Sequence, residues 1–573
     1  MIAQALVLAV LFAPSQVATH AIRTGMICAQ SQESRGGSDL LSTVQRLYAA
    51  ERWDDVVRLT SASARESPDL TYYRGMALTR LGRWPEAKEA FEAGRKQAPR
   101  DKRFPLELAG VAYKQQDFRS AKAELRQALR LDPRDRYAAD FLATVYLLEG
   151  NLEAALKHWN PIGKPRIENI KLDPRPRVNP VLLDHAFAFS PASVLRLDDL
   201  RTTQARLDNL DIFPRYHFEL APRQDDSFDL TFRPVERDGW GSSKTQALVS
   251  LFRGLPYQTI YPEFYNLKQG AANFVSLLRW DAQKRRAYAA FSRPLGLDPK
   301  WRYAFHFDGR DETWNLSRTF FGPGLPRGDL RMRWAEAGAQ IASVESGRWS
   351  WTTGADFSHR DFHNFPAAEA SSYFTRGFAL KYDAELDVHA LDIPEHRLTV
   401  DTSASGQLGK MFVHAADPFA KLTGDVRTRW FPQARGDDYE TTLRFRAGET
   451  LGQPPFDELF VLGIERDNDL WLRAHVGTRD GKKGSAPLGR DYLLASSDVD
   501  KIVYQNGFLK LKLGPFLDSG RIYDSSGSFG SRVWLWDTGG RTKFQILAGP
   551  TVMFVYGKDL RTGRNAYYFT VAR

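Results

Sequence analysis

One cysteine in 573 residues, Cys28, excludes an internal disulfide framework and leaves any zinc site without its usual thiolates. Long apolar runs are also missing. Past the first 15 residues none is long enough to cross a bilayer as a helix, and mean hydropathy is -0.43, so this is not a helical membrane protein. Charge of one sign is scarce as well: 79 Lys and Arg against 69 Asp and Glu leave a net +10. That thin excess alone suits anionic lipid, nucleic acid or an acidic client equally well. No P-loop, dinucleotide-binding fingerprint or GxSxG occurs. His359 and His363 stand at i, i+4 with no HExxH glutamate between them and no third ligand, and read as exposed loop histidines; Gly322-Pro323-Gly324 reads as a turn. No enzymatic activity, cofactor, metal or nucleic-acid partner is expected. What is plentiful is aromatic: 12% of residues, with 11 of the 14 Trp after position 237. Apolar residues at 43% and charged ones at 26% exclude a disordered chain, and the length suggests three or four domains.

Residues 1–30 read as a signal peptide and leader. Ile2 to Ala13 is an apolar stretch of 12, the length of a signal core, and Ala18-Thr19-His20-Ala21 offers small residues for cleavage. The segment before it carries no Lys or Arg, which leaves a start at Met26 open. Gly25-Met26-Ile27 before Cys28 is a poor lipoprotein box.

Residues 38–160 contain a period of 34. It is marked by Ala87, Ala121 and Ala155, by Phe91, Leu125 and Trp159, by Trp84, Phe118 and Leu152, and by Gly75, Ala109 and Ala143. Small residues where paired helices touch, and large ones in the seam between pairs, resemble the tetratricopeptide repeat, an all-α solenoid. Three good repeats follow a degenerate one that ends at Pro68. Such an array is either a groove for a peptide or partner, or a spacer; docking is the favoured reading.

Residues 164–237 read as a small α+β domain. Arg166 to Leu172 is a strand, Leu197 to Leu210 a helix, and Tyr216, Phe218, Leu220 and Phe228, Leu230, Phe232 mark two alternating strands. The cadence from Arg206 to Arg237 resembles a POTRA (polypeptide-transport-associated) domain, whose edge strand can accept an extended client.

Residues 238–573 carry the weak repeated signal of a transmembrane antiparallel β-barrel. Tyr303, Phe305 and Phe307 alternate with polar or small residues, Leu443 and Phe445 with Arg444 and Arg446, and Leu509, Leu511 and Leu513 with Lys510 and Lys512; Val533, Leu535 and Gln545 to Tyr556 continue the theme. At roughly 21 residues per strand and loop, about 16 strands are expected. A soluble β-sandwich is the competing reading.

Three segments resemble the surface-antigen superfamily of outer-membrane protein insertases and two-partner secretion translocases. Asn266-Leu267-Lys268-Gln269-Gly270, with Arg279-Trp280-Asp281 and Ser292-Arg293-Pro294-Leu295, is similar to its opening hairpin. Pro455 to Phe460 with Gly463, followed by Leu472-Arg473-Ala474-His475, looks like the run on its long sixth extracellular loop. Phe516-Leu517-Asp518-Ser519-Gly520 looks like its FxDxG strand motif. There are departures. Ala474-His475 stands where the family has Gly-Tyr, Ile464 where it has a second Gly, and the chain ends in Arg573 where relatives end in an aromatic residue.

The resemblance implies a lock in which Arg473 of an inward-folded loop meets Asp518, with Phe516 and Gly520 shaping the pocket and Leu472, Ala474 and His475 supporting it. It implies an outer-membrane protein, in contact with lipid, that inserts or assembles polypeptides, with residues 38–237 in the periplasm. An unfolded client would dock in the repeat groove and on the POTRA edge strand. Translocation of a secreted partner is the alternative, and a passive structural or adhesin-like barrel is an alternative of another class.

Overall fold

A computed structural model describes residues 33–61, 67–319, 328–364, 372–413, 417–506, 509–524, 530–531, 533–546 and 551–572. The leader, Cys28, Gly322-Pro323-Gly324 and Arg573 lie outside the described residues. The described residues divide into two compact units, one up to 167 with 222–228 and the other 168–221 with 229 onward.

In the first unit, helices Glu33–Ala49 and Trp53–Thr60 precede three antiparallel pairs: Pro68–Arg80 with Trp84–Gln97, Arg103–Lys114 with Phe118–Leu131, and Arg136–Leu148 with Leu152–Trp159. The period of 34 is visible in packing. Ala87, Ala121 and Ala155 are fully buried, as are Phe91 and Leu125. Gly75 shows why a small residue is needed: a Cβ there would lie 2.4 Å from the Phe91 ring. Asp117 and Asn151 cap their helices by accepting from the Ser120 and Ala154 amides.

Strands β1 (Arg166–Leu172), β2 (Ser193–Val194), β3 (Arg215–Pro222) and β4 (Phe228–Val235) form a sheet in the order β2-β1-β4-β3, with helices Pro180–Ala186 and Leu197–Leu210 between β1 and β3. One edge, β2, is only two residues long; β3 is the other.

From Thr259 onward, antiparallel strands follow one another, and their order of hydrogen-bonded neighbours runs in a ring from Asn565–Ala572 back to Thr259–Ile260. The ring names 18 segments. Thr478–Arg479 and Lys482–Lys483 belong to a loop, and Thr259–Ile260 with Glu263–Leu267 are two pieces of one interrupted strand, so 15 strands form the wall among the described residues. The short helix Lys244–Phe252 precedes the first of them.

Burial in this ring is inverted. On Asp298–Asn315, Phe305 and Phe307 are about half exposed while Asp308 and Glu312 are buried; Leu513 and Leu517 face out where Phe516 and Asp518 face in. His359 and His363, expected in a loop, lie on the wall strand Trp349–His363, because strand pairing with Arg331–Val344 continues to its end. His359 packs its ring 4.5 Å from that of Phe378, and His363 pairs with Asp361.

The connections at one end of the ring are short: Gly296-Leu297, residues 345–348 and Pro394–Arg397. Helix Leu197–Leu210 docks at that end. The Asn209 amide donates to the Pro299 carbonyl at 2.9 Å, Thr202 accepts from the Gly347 amide at 3.0 Å, and Arg201 pairs with Asp392.

Candidate functional site: the loop inside the ring

Residues 453–490 connect wall strands Tyr439–Gly452 and Asp491–Gln505. A loop of this length that is buried must satisfy its polar groups internally. It does so with a miniature sheet, Phe460–Val461 against Leu488–Gly489, and with ion pairs to the inner wall. Asn468 also ties its own loop together, donating to the carbonyls of Val461 and Gly463 at 2.7 and 3.0 Å.

Arg473 and Asp518 are brought together. Arg473 Nε and Nη2 donate to the two Asp518 oxygens at 2.8 and 2.5 Å, and the Arg473 backbone N–H donates to the same carboxylate at 3.2 Å. Such a fork is the strongest geometry available to an arginine–carboxylate pair. Nη1 donates to Asp498 at 2.6 Å. The guanidinium lies 3.9 Å from the Phe516 ring centroid, and both charged side chains are buried.

The supporting positions surround this pair. Leu472 is fully buried in an apolar cluster with Leu462, Tyr492, Leu494 and Ile522. A Cβ at Gly520 would lie 3.2–3.3 Å from Leu494, Leu462 and Leu472, so the absent side chain admits that cluster. The Ala474 N–H donates to Asp537 Oδ2 at 2.7 Å, and His475 Nδ1 lies 3.0 Å from the same oxygen. Gly557, on the wall, is in close approach: a Cβ there would lie 2.3 Å from the Arg473 carbonyl oxygen.

A larger network was not anticipated. Asp467 near the loop tip is paired with Arg279 at 2.9 Å and Arg286 at 2.5 Å. Glu458 meets Lys381 and Lys421, each at 3.2 Å; Asp457 meets Arg360 at 3.1 Å; and Lys483 meets Glu312 at 2.7 Å. Asp457 and Glu458 lie inside the quoted loop motif and Arg279 inside the quoted hairpin, but neither segment names its partner. The available signal was the density of charge among buried apolar residues.

Pairs of this kind do not simply add stability, since each charge has lost its water. They fix one position of the loop, because removing a partner leaves a buried charge with less compensation. The arrangement can therefore act as a latch. Beside it remains a cavity of about 480 Å³, lined among others by Arg310, Glu312, Lys381, Glu458 and Asp467.

The family model for the tetratricopeptide repeat matches residues 78–144. No curated protein matches the chain. Among solved structures, BamA from Haemophilus ducreyi lacking POTRA domains 1-3 is similar at 10% identity and a TM-score of 0.43, over 71% of this chain and 84% of that one. CdiB from Escherichia coli is similar at 14% identity and a TM-score of 0.45, over 71% and 76%. CdiB from Acinetobacter baumannii is similar at 10% identity and a TM-score of 0.42, over 71% and 73%.

Proposed function

We propose that this chain is a bacterial outer-membrane β-barrel that inserts or assembles polypeptides in that membrane. In this reading residues 1–30 direct export, residues 38–237 lie in the periplasm, and residues 164–237 are a POTRA domain. The observation that carries the membrane reading is the inverted burial of the ring. Apolar side chains such as Phe305, Phe307, Leu443 and Phe445 are exposed all along the wall while charges are buried inside it. Water makes such a surface costly and hydrocarbon does not. The short connections lie at the end where helix Leu197–Leu210 docks, which is the periplasmic pattern.

The steps follow from chemistry that needs no nucleotide. The repeat groove holds an unfolded client, and edge strand β3 aligns an extended segment by main-chain hydrogen bonding. At the seam between the first and last wall strands, Tyr257, just before the first strand, donates to the Phe569 carbonyl at 2.6 Å, and the first strand is interrupted. A client strand paired there gains hydrogen bonds that lipid cannot supply. The Arg473–Asp518 lock keeps the lumen closed while this occurs.

Translocation is the second reading, and the loop separates the two. A strand needs about ten residues to cross the hydrocarbon core. The buried loop lies in the ring beside the 480 Å³ cavity, so in this reading passage through the lumen displaces it. Insertion at the seam does not.

Photo-crosslinking residues at the exposed Tyr137 and on β3 at His217 test client docking. Unfolded polypeptides bound for the outer membrane should be captured at both. If neither captures a polypeptide while the barrel is folded, the structural or adhesin-like reading replaces this one. Cross-linking the loop to the wall should then abolish translocation and spare insertion.

A further inference from the structure

Three carboxylates stand side by side on the inner wall. Asp518 is register partner to Asp537, and Asp537 to Asp559, on three adjacent strands. All three are buried. Their compensation is unequal. Asp518 receives the Arg473 fork, and nearby Asp498 and Asp500 each meet at least one arginine, Arg541 pairing with both. Among the described residues no lysine or arginine pairs with Asp537 or Asp559.

What faces those two is His475. Its Nδ1 lies 3.0 Å from Asp537 Oδ2, and its Nε2 lies 3.8 Å from Asp559 Oδ2. A neutral imidazole donates from one nitrogen only, so the other turns a lone pair toward a carboxylate. Asp559 already accepts from the Arg561 amide at 2.9 Å and the Thr562 hydroxyl at 2.5 Å. Asp537 Oδ2 accepts from the Ala474 amide, but Asp537 Oδ1 is buried with no partner. A buried carboxylate oxygen without a donor is costly, so this pocket is short of positive charge.

We propose that His475, Asp537 and Asp559 bind one divalent transition-metal cation of the zinc class. A ring nitrogen and one oxygen from each carboxylate lie within 4.8 Å of one another. Zinc bonds of about 2.0–2.2 Å to nitrogen and oxygen place neighbouring ligand atoms roughly 3.4 Å apart at a tetrahedral centre. Only one imidazole nitrogen can bind the ion, and a turn of the ring with small carboxylate rotations brings the three ligand atoms from within 4.8 Å of one another to that spacing. One nitrogen with two carboxylates favours zinc or manganese over calcium, which takes six to eight oxygens. Three protein ligands leave a fourth position for water. No thiolate is needed, which fits a chain with one cysteine. The metal joins one loop residue to two wall strands, so it adds a second fastening beside Arg473–Asp518. The site stands whether or not the transport reading does.

A second cluster of the same kind, His306, Glu336 and Asp356, is the internal control. There Lys381 pairs with Glu336, so a cation is already in place.

The test uses the full chain folded in detergent, stripped with a chelator, dialysed and titrated with zinc against a chromophoric competitor. One zinc per chain is expected. Cobalt loaded in its place should give the visible bands of a four- or five-coordinate nitrogen–oxygen site. His475→Tyr and Asp559→Asn should each weaken binding by at least about 100-fold; His306→Ala should leave it within a few-fold. Heat-modifiable gel mobility confirms that each variant is folded. Zinc should also protect the loop from protease in the wild type and not in His475→Tyr. Less than stoichiometric uptake by the folded wild type, or affinity unchanged in both site variants, overturns the proposal. So does affinity lost in His306→Ala and kept in His475→Tyr.

Discussion

The repeat array and the strand ring solve opposite problems with the same amino acids. In the array, Phe91, Leu125 and Trp159 are inside, and Arg103 meets Asp69 and Asp101 where water still reaches them. In the ring, Phe305 and Leu443 are outside, and Arg473 meets Asp518 where water does not. A protein has no fixed inside chemistry: each region is turned so that its outer surface suits its surroundings. The same salt bridge is then a minor decoration in one region and a fastening in the other.

The sharpest test removes one partner from each kind of pair. Asp518→Ala leaves the Arg473 charge buried with Asp498 as its remaining partner, and should release the loop at a cost of about 3–5 kcal/mol. Limited proteolysis of the folded barrel should show new cuts within residues 453–490, and client delivery should fall. The swap Arg473→Asp with Asp518→Arg should restore part of both. Asp69→Ala in the array should cost no more than about 1 kcal/mol. Equal effects in the two regions would break the comparison.

A second test introduces a charge on each outer surface. Leu443→Arg should destabilise the barrel in lipid vesicles by about 2–4 kcal/mol if it lies near the bilayer midplane, measured by denaturant unfolding. Tyr137→Arg, on the exposed face of the array, should change stability by less than about 0.5 kcal/mol. A neutral Leu443→Arg would place that face in water.

The smallest effect concerns a carboxyl that the array buries. Burial pushes the Glu107 carboxyl above its usual range, although the Tyr72 hydroxyl donates to it at 3.1 Å. A raised carboxyl pKa means that the native state holds its proton more tightly than the unfolded chain does. Stability from this group is therefore full below the unfolded value and lost as pH rises through the native one. Glu107→Gln should raise the melting temperature of residues 33–163 at neutral pH, and the gain should vanish below about pH 4. A gain that is independent of pH would assign the effect to packing.

Legibility in the sequence followed the range of the contacts. The 34-residue period sets contacts between helices close in the chain, so Ala87 and Phe91 announce their burial. Alternation showed which face of a strand is apolar, but not which strand residue meets which. Asp537 and Asp559 gave no sign of standing beside Asp518, because that row exists only once register is set across three strands. Arg473 and Asp518 were singled out through a resemblance of motifs, whereas Asp467 with Arg279 and Arg286 lay in segments without a rule joining them. Helix Lys244–Phe252 was not anticipated either; its Leu248, Val249 and Phe252 are exposed, so no buried stripe betrayed it.

Gly557 gives the loop's position a second expression. Its missing side chain is the mould of the Arg473 backbone: the wall is hollowed by one methyl group where the loop rests. The charges hold the loop by attraction, which salt or protonation can weaken. The hollow holds it by shape, which neither touches. Filling it would evict the loop while every ion-pairing group stayed intact. Position 557 therefore separates the act of leaving from the loss of charge, and a wedge there is a key that opens the latch without cutting it.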